Sequence, residues 1–84
     1  MSVYVDSQKN KYGRMKMCHM LADSIPELHD MAHIIGMKRS WFQNSNIPHY
    51  DLSLAKRKLA VENGAIEIDR KQTVELIRWW RERL

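Results

Sequence analysis

The segment IPHYDLSLAKRK, residues 47–58, places an imidazole, a phenol, a carboxylate and three cations within twelve residues. We expect it to run from a loop into a helix, where free backbone N–H groups and the helix dipole favour an anion. Two cations would lie one to two turns into that helix and could donate to phosphate oxygens. The segment therefore predicts a site for an anionic small molecule, a phosphate-bearing metabolite or a nucleotide. The predicted ligand contacts are His49, Tyr50, Asp51, Lys56 and Arg57, with His19 from an earlier segment.

A structural interpretation of the same segment stays open beside that one. Asp51 can simply be the N-cap of the helix, with His49 a loop residue in front of it. The cations at 56–58 can then form a solvated helix face without any ligand. Only the contacts in three dimensions separate the two interpretations.

A second set of side chains could carry acid–base or metal-assisted chemistry. Asp6 and Asp23 both fall at the ends of predicted strands, and sites in parallel α/β sheets gather at the carboxyl ends of strands. Together with His49 they are the candidate catalytic residues of a phosphoester hydrolase. His19 and Asp23 lie four residues apart on one strand, which separates them by about 13 Å, too far to share one ion unless the chain turns.

No metal site and no cofactor is predicted. His29 and His33 are spaced i, i+4 on a helix and could contact one Zn²⁺, but a third ligand is not evident. Cys18 precedes His19 on a strand, so their side chains point to opposite faces and do not form a nucleophilic pair. We expect Cys18 to be a small buried hydrophobe.

The helix over residues 25–35 has the clearest local signals in the chain. The run SIPE matches a capping box, with Ser24 as the N-cap and Glu27 at the third helical position. Gly36 supplies the left-handed residue that ends the helix. Its predicted apolar face consists of Ile25, Leu28, Met31, Ala32 and Ile35.

Strand signals alternate with helix signals along the rest of the chain. Strands are predicted at 2–6, 14–22, 39–43 and 65–68, with further helices from Asp51 or Ser53 to about 62 and from Asp69 or Thr73 onward. Alternation on the second strand would place Met15, Met17, His19 and Leu21 opposite Arg14, Lys16, Cys18 and Met20. The pattern predicts an α/β fold in one domain over residues 1–84. We expect a small sandwich with about four short strands, largely parallel with a possible N-terminal hairpin, and three helices.

Composition narrows the class of protein and its partners. Of the 84 residues 44% are hydrophobic, which suits one packed domain. Fourteen Lys and Arg against ten Asp and Glu give a net charge of +4, which favours anionic partners. The chain has one cysteine and no apolar run of about 18 residues. We expect no leader peptide, because no charged-then-apolar stretch opens the sequence. We therefore expect a cytoplasmic protein with no membrane partner.

The tryptophans and their basic neighbours suggest a macromolecule as an alternative partner. The runs KRSWF and RWWRER interleave aromatic and basic residues, so a nucleic acid or a host protein is an alternative partner. We expect Trp41 and Trp80 to belong to the core, and Trp79 to lie exposed among arginines. Leu54 and Val61 form a second apolar side on the middle helix. Because so small a domain covers two apolar faces poorly, we predict a homo-oligomer, most simply a two-fold dimer. The predicted core face of the last helix is Val74, Leu76, Ile77, Trp80 and Leu84.

The runs CHMLADSIPELHDMAHIIGMKRSWFQ and PHYDLSLAKRKLAVENGAIEI cover most of the chain. With a Tyr-Val-Asp opening strand, the Glu-Leu-His triplet at 27–29 and the His-Tyr-Asp triplet at 49–51, the sequence resembles an uncharacterised family of short bacteriophage and actinobacterial proteins. That family is known only as a domain of unknown function. The run RMKM before Cys18 is more similar to the phage members. The resemblance implies a shared fold and a phage origin, hence a place in the host cytoplasm, and it implies no activity or site residue.

The sequence suggests three hypotheses for the function. The first is a small phage-type protein that captures a phosphate-bearing metabolite or nucleotide, of use in countering host nucleotide signalling. The second is a metal-assisted phosphoester hydrolase. The third is a protein- or nucleic-acid-binding module.

Overall fold

The structure is a computed structural model that describes residues 2–7, 10–12, 15–44 and 47–83, with the backbone alone for 10–12 and 15. It confirms a small α/β domain with three helices. The elements in chain order are β1 (Val3–Val5), β2 (Asn10–Tyr12), β3 (Met15–Ala22), α1 (Ile25–Ile34), a 3₁₀ helix (Arg39–Trp41), β4 (Tyr50–Ser53), α2 (Leu54–Glu62), β5 (Ile66–Glu67) and α3 (Arg70–Arg81).

The long strand β3 is the centre of a five-stranded mixed sheet. On one edge β3 pairs antiparallel with β2 near its start and with β1 near its end, where Met20 lies opposite Val5. On the other edge it pairs antiparallel with β4, where His19 lies opposite Asp51. The last strand, β5, pairs with β1 in parallel.

The predicted sheet was largely parallel, and the structure corrects this to a mixed sheet in which β1–β5 is the parallel pair. The possible N-terminal hairpin was predicted between the strands at 2–6 and 14–22, and the corresponding β1 and β3 do pair antiparallel. The short strand β2, which the sequence did not predict, lies between them in the chain and also pairs antiparallel with β3. The strands β1 and β5 are far apart in the chain, with two helices between them, which permits the parallel arrangement.

Helices cover both faces of the sheet. The even-numbered side chains of β3, Cys18 to Ala22, pack with α1 and α2 in the larger core cluster, which also holds Tyr50 and Leu52 of β4. On the opposite face Leu21 packs with α3 through Trp80. A buried hydrogen bond of 2.8 Å from Trp80 Nε1 to the Ala22 carbonyl fixes α3 to β3. The predicted alternation of β3 is confirmed at residues 18–21, while Arg14 and the Met15 side chain lie outside the described part.

The predicted helix ends are confirmed. Ser24 caps α1 by accepting the Glu27 N–H, and its hydroxyl donates to the Glu27 carboxylate at 2.9 Å. Gly36 has a φ of 80°, the left-handed value expected of the residue that ends α1. Of the alternative caps, Ser53 begins α2 and Asp69 begins α3.

Two segments differ from the prediction. The strand expected at 39–43 is a 3₁₀ helix, and Trp41 is 49% exposed where a core position was predicted. β4 pairs with β3 instead, and its residues were expected to be a loop and a helix start. In β4, Tyr50 and Leu52 face the core while Asp51 and Ser53 face the other way.

The last helix also differs in part. Trp80 is buried as predicted, with Leu76 and Ile77 packed beside it, but Val74 is 43% exposed. Trp79, predicted to be exposed, is half-buried against Trp80, and the Arg83 guanidinium lies 3.9 Å from its ring centroid. Over the described residues, no helix is both long and apolar enough to cross a membrane.

Candidate active site

A buried carboxylate holds a histidine where β1 ends beside the middle of β3. Asp6 directly follows β1 and is fully buried. The pairing of β1 with β3 continues here, since the Asp6 N–H donates to the His19 carbonyl at 3.1 Å. In return the His19 N–H donates to Asp6 Oδ1 at 2.9 Å, and His19 Nδ1 lies 2.7 Å from Asp6 Oδ2. The carboxylate therefore fixes both the backbone and the ring of His19.

Asp6 also sets the protonation of His19. The hydrogen bond to Asp6 raises the pKa of His19, although partial burial of the ring acts in the opposite direction. The negative charges of Asp6 and Asp51 add to the rise. Because an ionised carboxylate only accepts hydrogen bonds, Nδ1 carries a proton and Nε2 is the nitrogen left for exchange.

A second histidine lies across the same cavity. His49 Nδ1 donates to the Ile47 carbonyl at 2.8 Å, and because a carbonyl oxygen only accepts, this bond leaves Nε2 to exchange protons. The two imidazole rings are 5.6 Å apart between centroids, at an angle of 74°. Both Nε2 atoms lie 3.7 Å from the same oxygen, Asp51 Oδ1.

The strands explain why these side chains meet. Cross-strand pairing places Asp51 of β4 beside His19 of β3, on the face opposite the larger core cluster. His49 precedes β4 and is tied by two backbone hydrogen bonds of 2.9 Å to Gln43. The Gln43 side chain donates to Asp51 Oδ2 at 2.6 Å, so the other carboxylate oxygen faces the histidines.

A cavity of about 220 Å³ opens on the Asp6, His19 and His49 side chains. Its other walls come from β3, from the segment before β4 and from α3, which contributes a buried threonine. These walls are Leu21, Ile47, Thr73 and Ile77. Two anchored imidazoles beside a mainly apolar wall can exchange protons with a small molecule held between them.

In the part of the chain that is described, no three His, Cys, Asp or Glu side chains are grouped so that they could hold a metal ion. Two carboxylates and two imidazoles make the net charge of the cavity depend on histidine protonation. With both histidines neutral the cavity carries two negative charges, and each proton taken up cancels one of them.

The predicted cationic donors have partners within the protein. Lys56 Nζ donates to the Ile35 carbonyl at 2.7 Å. Arg57 Nε donates to the Asp6 carbonyl at 3.0 Å, and its Nη1 lies 2.8 Å from Glu67 Oε1. Arg57 therefore supports the backbone of Asp6 rather than lining the histidine cavity.

Tyr50 and the helix histidines lie apart from this cavity. The Tyr50 side chain is buried on the opposite face, where its hydroxyl and His29 Nδ1 share a hydrogen bond of 2.7 Å. Burial raises the pKa of Tyr50, and burial followed by the nearby Arg39 charge lowers that of His29. His33, one turn along α1, is exposed.

The structure corrects the expected pairing of Asp6 with Asp23. Asp23 accepts from the Ser2 N–H at 2.9 Å and from the Tyr4 hydroxyl at 3.2 Å, at the opposite end of β1 from Asp6. The two carboxylates would meet only in a parallel arrangement, whereas β1 and β3 are antiparallel.

The side chain of Cys18 is buried in the larger core cluster, as predicted. Burial raises the pKa of its thiol to about 11, with the Asp6 charge adding to the rise.

Sequence reasoning missed Gln43, whose amide orients Asp51. The signal that could have found it is the alternation of Tyr50 to Ser53, which marks β4 and thereby places Gln43 beside His49.

Comparison with known proteins identifies the family to which the chain belongs. Neither a curated protein nor a solved structure matches the chain. A family model matches residues 3–79, which includes every residue of the histidine cavity. The chain therefore belongs to the family described as protein of unknown function, DUF4031.

Proposed function

We propose that this protein is a small hydrolase of phosphodiesters that uses His19 and His49 as an acid–base pair. The observation that carries the proposal is the convergence of the two Nε2 atoms, each 3.7 Å from Asp51 Oδ1, while each Nδ1 is held by an acceptor. Hydrolysis of an ester of phosphoric acid needs a base for the attacking water and an acid for the leaving oxygen.

His19 is suited to the role of acid. Asp6 raises its pKa, so His19 keeps its second proton at a pH where an ordinary histidine has begun to lose it. In sites with an acid–base pair, the two side chains usually take their separate roles because their environments differ. Asp6 does not reach the substrate and acts as a positioning residue for His19.

His49 then takes the role of base. Its Nε2 accepts a proton from water while the water oxygen forms a bond to phosphorus. The bond from phosphorus to the leaving oxygen breaks, and His19 Nε2 gives its proton to that oxygen. The products are a phosphate monoester and an alcohol, and exchange with solvent returns both histidines to their starting states. Asp51, beside both Nε2 atoms, stabilises whichever imidazole is charged.

The charge of the cavity favours a diester over a monoester. Asp6 lines the cavity and Asp51 lies 3.7 Å from both histidine Nε2 atoms, and these two carboxylates repel a doubly charged phosphate more than a singly charged one. The net charge of +4 over the whole chain attracts either anion from a distance.

Capture of a phosphate-bearing ligand without hydrolysis is the second candidate. It is favoured by the extensive fixing of Asp6, His19 and His49 by hydrogen bonds, since a preorganised site also suits a binding protein. A phage origin and the host cytoplasm belong to this proposal as well. In that setting a phosphodiester of host nucleotide signalling would be a suitable substrate or ligand.

The proposal is tested by hydrolysis of bis(4-nitrophenyl) phosphate and 4-nitrophenyl phosphate, with and without a chelator. We expect faster hydrolysis of the diester, retained in the chelator, and a loss of about 100-fold or more in both His19→Ala and His49→Ala. His33→Ala, which changes an exposed histidine of α1, is the matched control and should retain activity. A diester that binds but is recovered unchanged would assign the site to capture, and activity lost in the chelator would assign the reaction to a metal ion.

A further inference from the structure

We propose that a nucleobase of the substrate lies in a second cavity, on the side of Asp51 away from the histidines, so that the substrate class is a nucleoside phosphodiester. This inference rests on the proposed function for the position of the phosphate. The cavity measures about 580 Å³, a volume suited to a small ligand. The walls used in the argument are Trp41, Phe42, Gln43, Asp51 and Lys56.

The aromatic wall explains why a planar ring would enter. Trp41, a large aromatic side chain, is 49% exposed and lines the cavity beside the half-buried Phe42. An exposed indole offers a large flat surface on which a nucleobase can stack, whichever base it is. Because the fold leaves Trp41 exposed, its indole ring is available for a ligand to stack on.

The cavity is joined to the histidine site by hydrogen bonds. Gln43 lines the cavity, exchanges two backbone hydrogen bonds of 2.9 Å with His49, and donates through its side chain to Asp51 Oδ2 at 2.6 Å. Asp51 therefore has one oxygen toward the cavity wall and the other toward the histidines. A ligand seated on Trp41 would reach the acid–base pair past this single carboxylate.

Two cations favour an anionic ligand in this cavity. Lys56 lines it, with its ammonium 2.7 Å from the Ile35 carbonyl, and an ammonium carries three N–H donors. Lys38 Nζ lies 5.6 Å from the centroid of the Trp41 ring. Positive charge beside a stacking surface matches a nucleotide, which joins a flat apolar ring to a phosphate.

Isothermal titration calorimetry with four nucleosides, adenosine, guanosine, cytidine and uridine, tests the cavity independently of catalysis. We expect at least one nucleoside to bind the wild type at millimolar concentration and to bind Trp41→Ala about tenfold more weakly. Trp41→Phe, which keeps a stacking ring, should retain most of the affinity. Ile34→Ala, which shortens an exposed apolar side chain on α1, should leave the affinity unchanged.

The outcomes for the two proposals can be told apart. The nucleoside has no phosphate, so its binding does not require the histidine pair. His33→Ala, which changes an exposed histidine that lines neither cavity, should bind the nucleoside as the wild type does. Nucleoside binding that depends on Trp41, without any hydrolysis, would support the cavity and refute the hydrolase. Hydrolysis of bis(4-nitrophenyl) phosphate with no nucleoside bound, or with equal affinity in Trp41→Ala, would overturn the cavity proposal and leave the hydrolase standing.

Discussion

At the scale of single residues, Asp6 gives His19 its chemical character. The carboxylate is fully buried, yet its two oxygens are occupied by the backbone and the ring of His19. Arg57 supports it from behind by donating to the Asp6 carbonyl. The hydrogen bond and the charge of this carboxylate favour the protonated form of His19.

The stability of the protein should depend on pH through this pair. The folded pKa of His19 lies above the unfolded value of about 6.5, so its contribution to stability is fully present below that pH. The contribution is lost as the pH rises through the folded pKa. We expect the urea midpoint of the wild type to fall over this range relative to that of Asp6→Asn, in which the main cause of the raised pKa of His19 is removed.

The measurement compares the pH dependence of the two urea midpoints, because His29 contributes a pH dependence of the opposite sign in both proteins. The folded pKa of His29 is lowered, so its contribution increases with pH in both proteins and cancels in the comparison. Nuclear magnetic resonance titration of the His19 ring should show a lower pKa in Asp6→Asn. An equal pH dependence of the two urea midpoints would mean that Asp6 does not control His19.

At the scale of elements, Ser24 caps α1, the helix that contributes Leu28, Met31 and Ala32 to the larger core cluster. Ser24→Ala removes the acceptor of the Glu27 N–H and the partner of its carboxylate. We expect a loss of about 1 kcal/mol in the free energy of unfolding. Chemical denaturation measures it, with Ser40→Ala, an exposed serine of the 3₁₀ helix, as the control. A midpoint unchanged in Ser24→Ala would show that this cap does not hold the helix.

The helices were predictable because their signals are local. Ser24, Glu27 and Gly36 lie within thirteen residues, and the apolar face follows from helix geometry alone. The strand β4 was missed because Asp51 and Ser53 are both good N-caps, and this hid the alternation that buries Tyr50. Competing local signals of this kind are resolved by pairing with β3.

The site could be predicted only in part for a related reason. Asp6, His19, Asp51 and His49 were all candidates, but their grouping depends on which strands are neighbours and in which direction they run. With a parallel sheet assumed, Asp6 was paired with Asp23, whereas the antiparallel register places it beside His19. Strand order and register arise from contacts between distant segments, which composition and spacing do not encode.

At the scale of the whole molecule, several apolar side chains remain exposed on the described surface. Leu54 and Leu59 of α2 are exposed by 41% and 40%, and Ile66 of β5 is exposed by 46%. Trp79, in contrast, is half-buried beside Trp80 and contributes to the smaller core cluster. The predicted self-association therefore depends on α2 rather than on the last helix.

We expect a two-fold dimer, with a mass of twice the 10.0 kDa of one chain in multi-angle light scattering. Leu54→Ser should shift the mass toward the monomer because it places a polar group in the apolar contact. Ile34→Ser, an exposed change on α1, serves as the control and should leave the dimer intact. A wild-type mass near that of one chain at high micromolar concentration would contradict the prediction.

The pH dependence of kcat/KM for bis(4-nitrophenyl) phosphate tests the acid–base account most directly. We predict a bell-shaped profile, because His49 must be neutral to accept a proton and His19 must be charged to donate one. Asp6→Asn should move the limb at high pH toward lower pH, since it removes the main cause of the raised pKa of His19. A flat profile, or a high-pH limb at the same position in Asp6→Asn, would contradict the assignment of His19 as the acid.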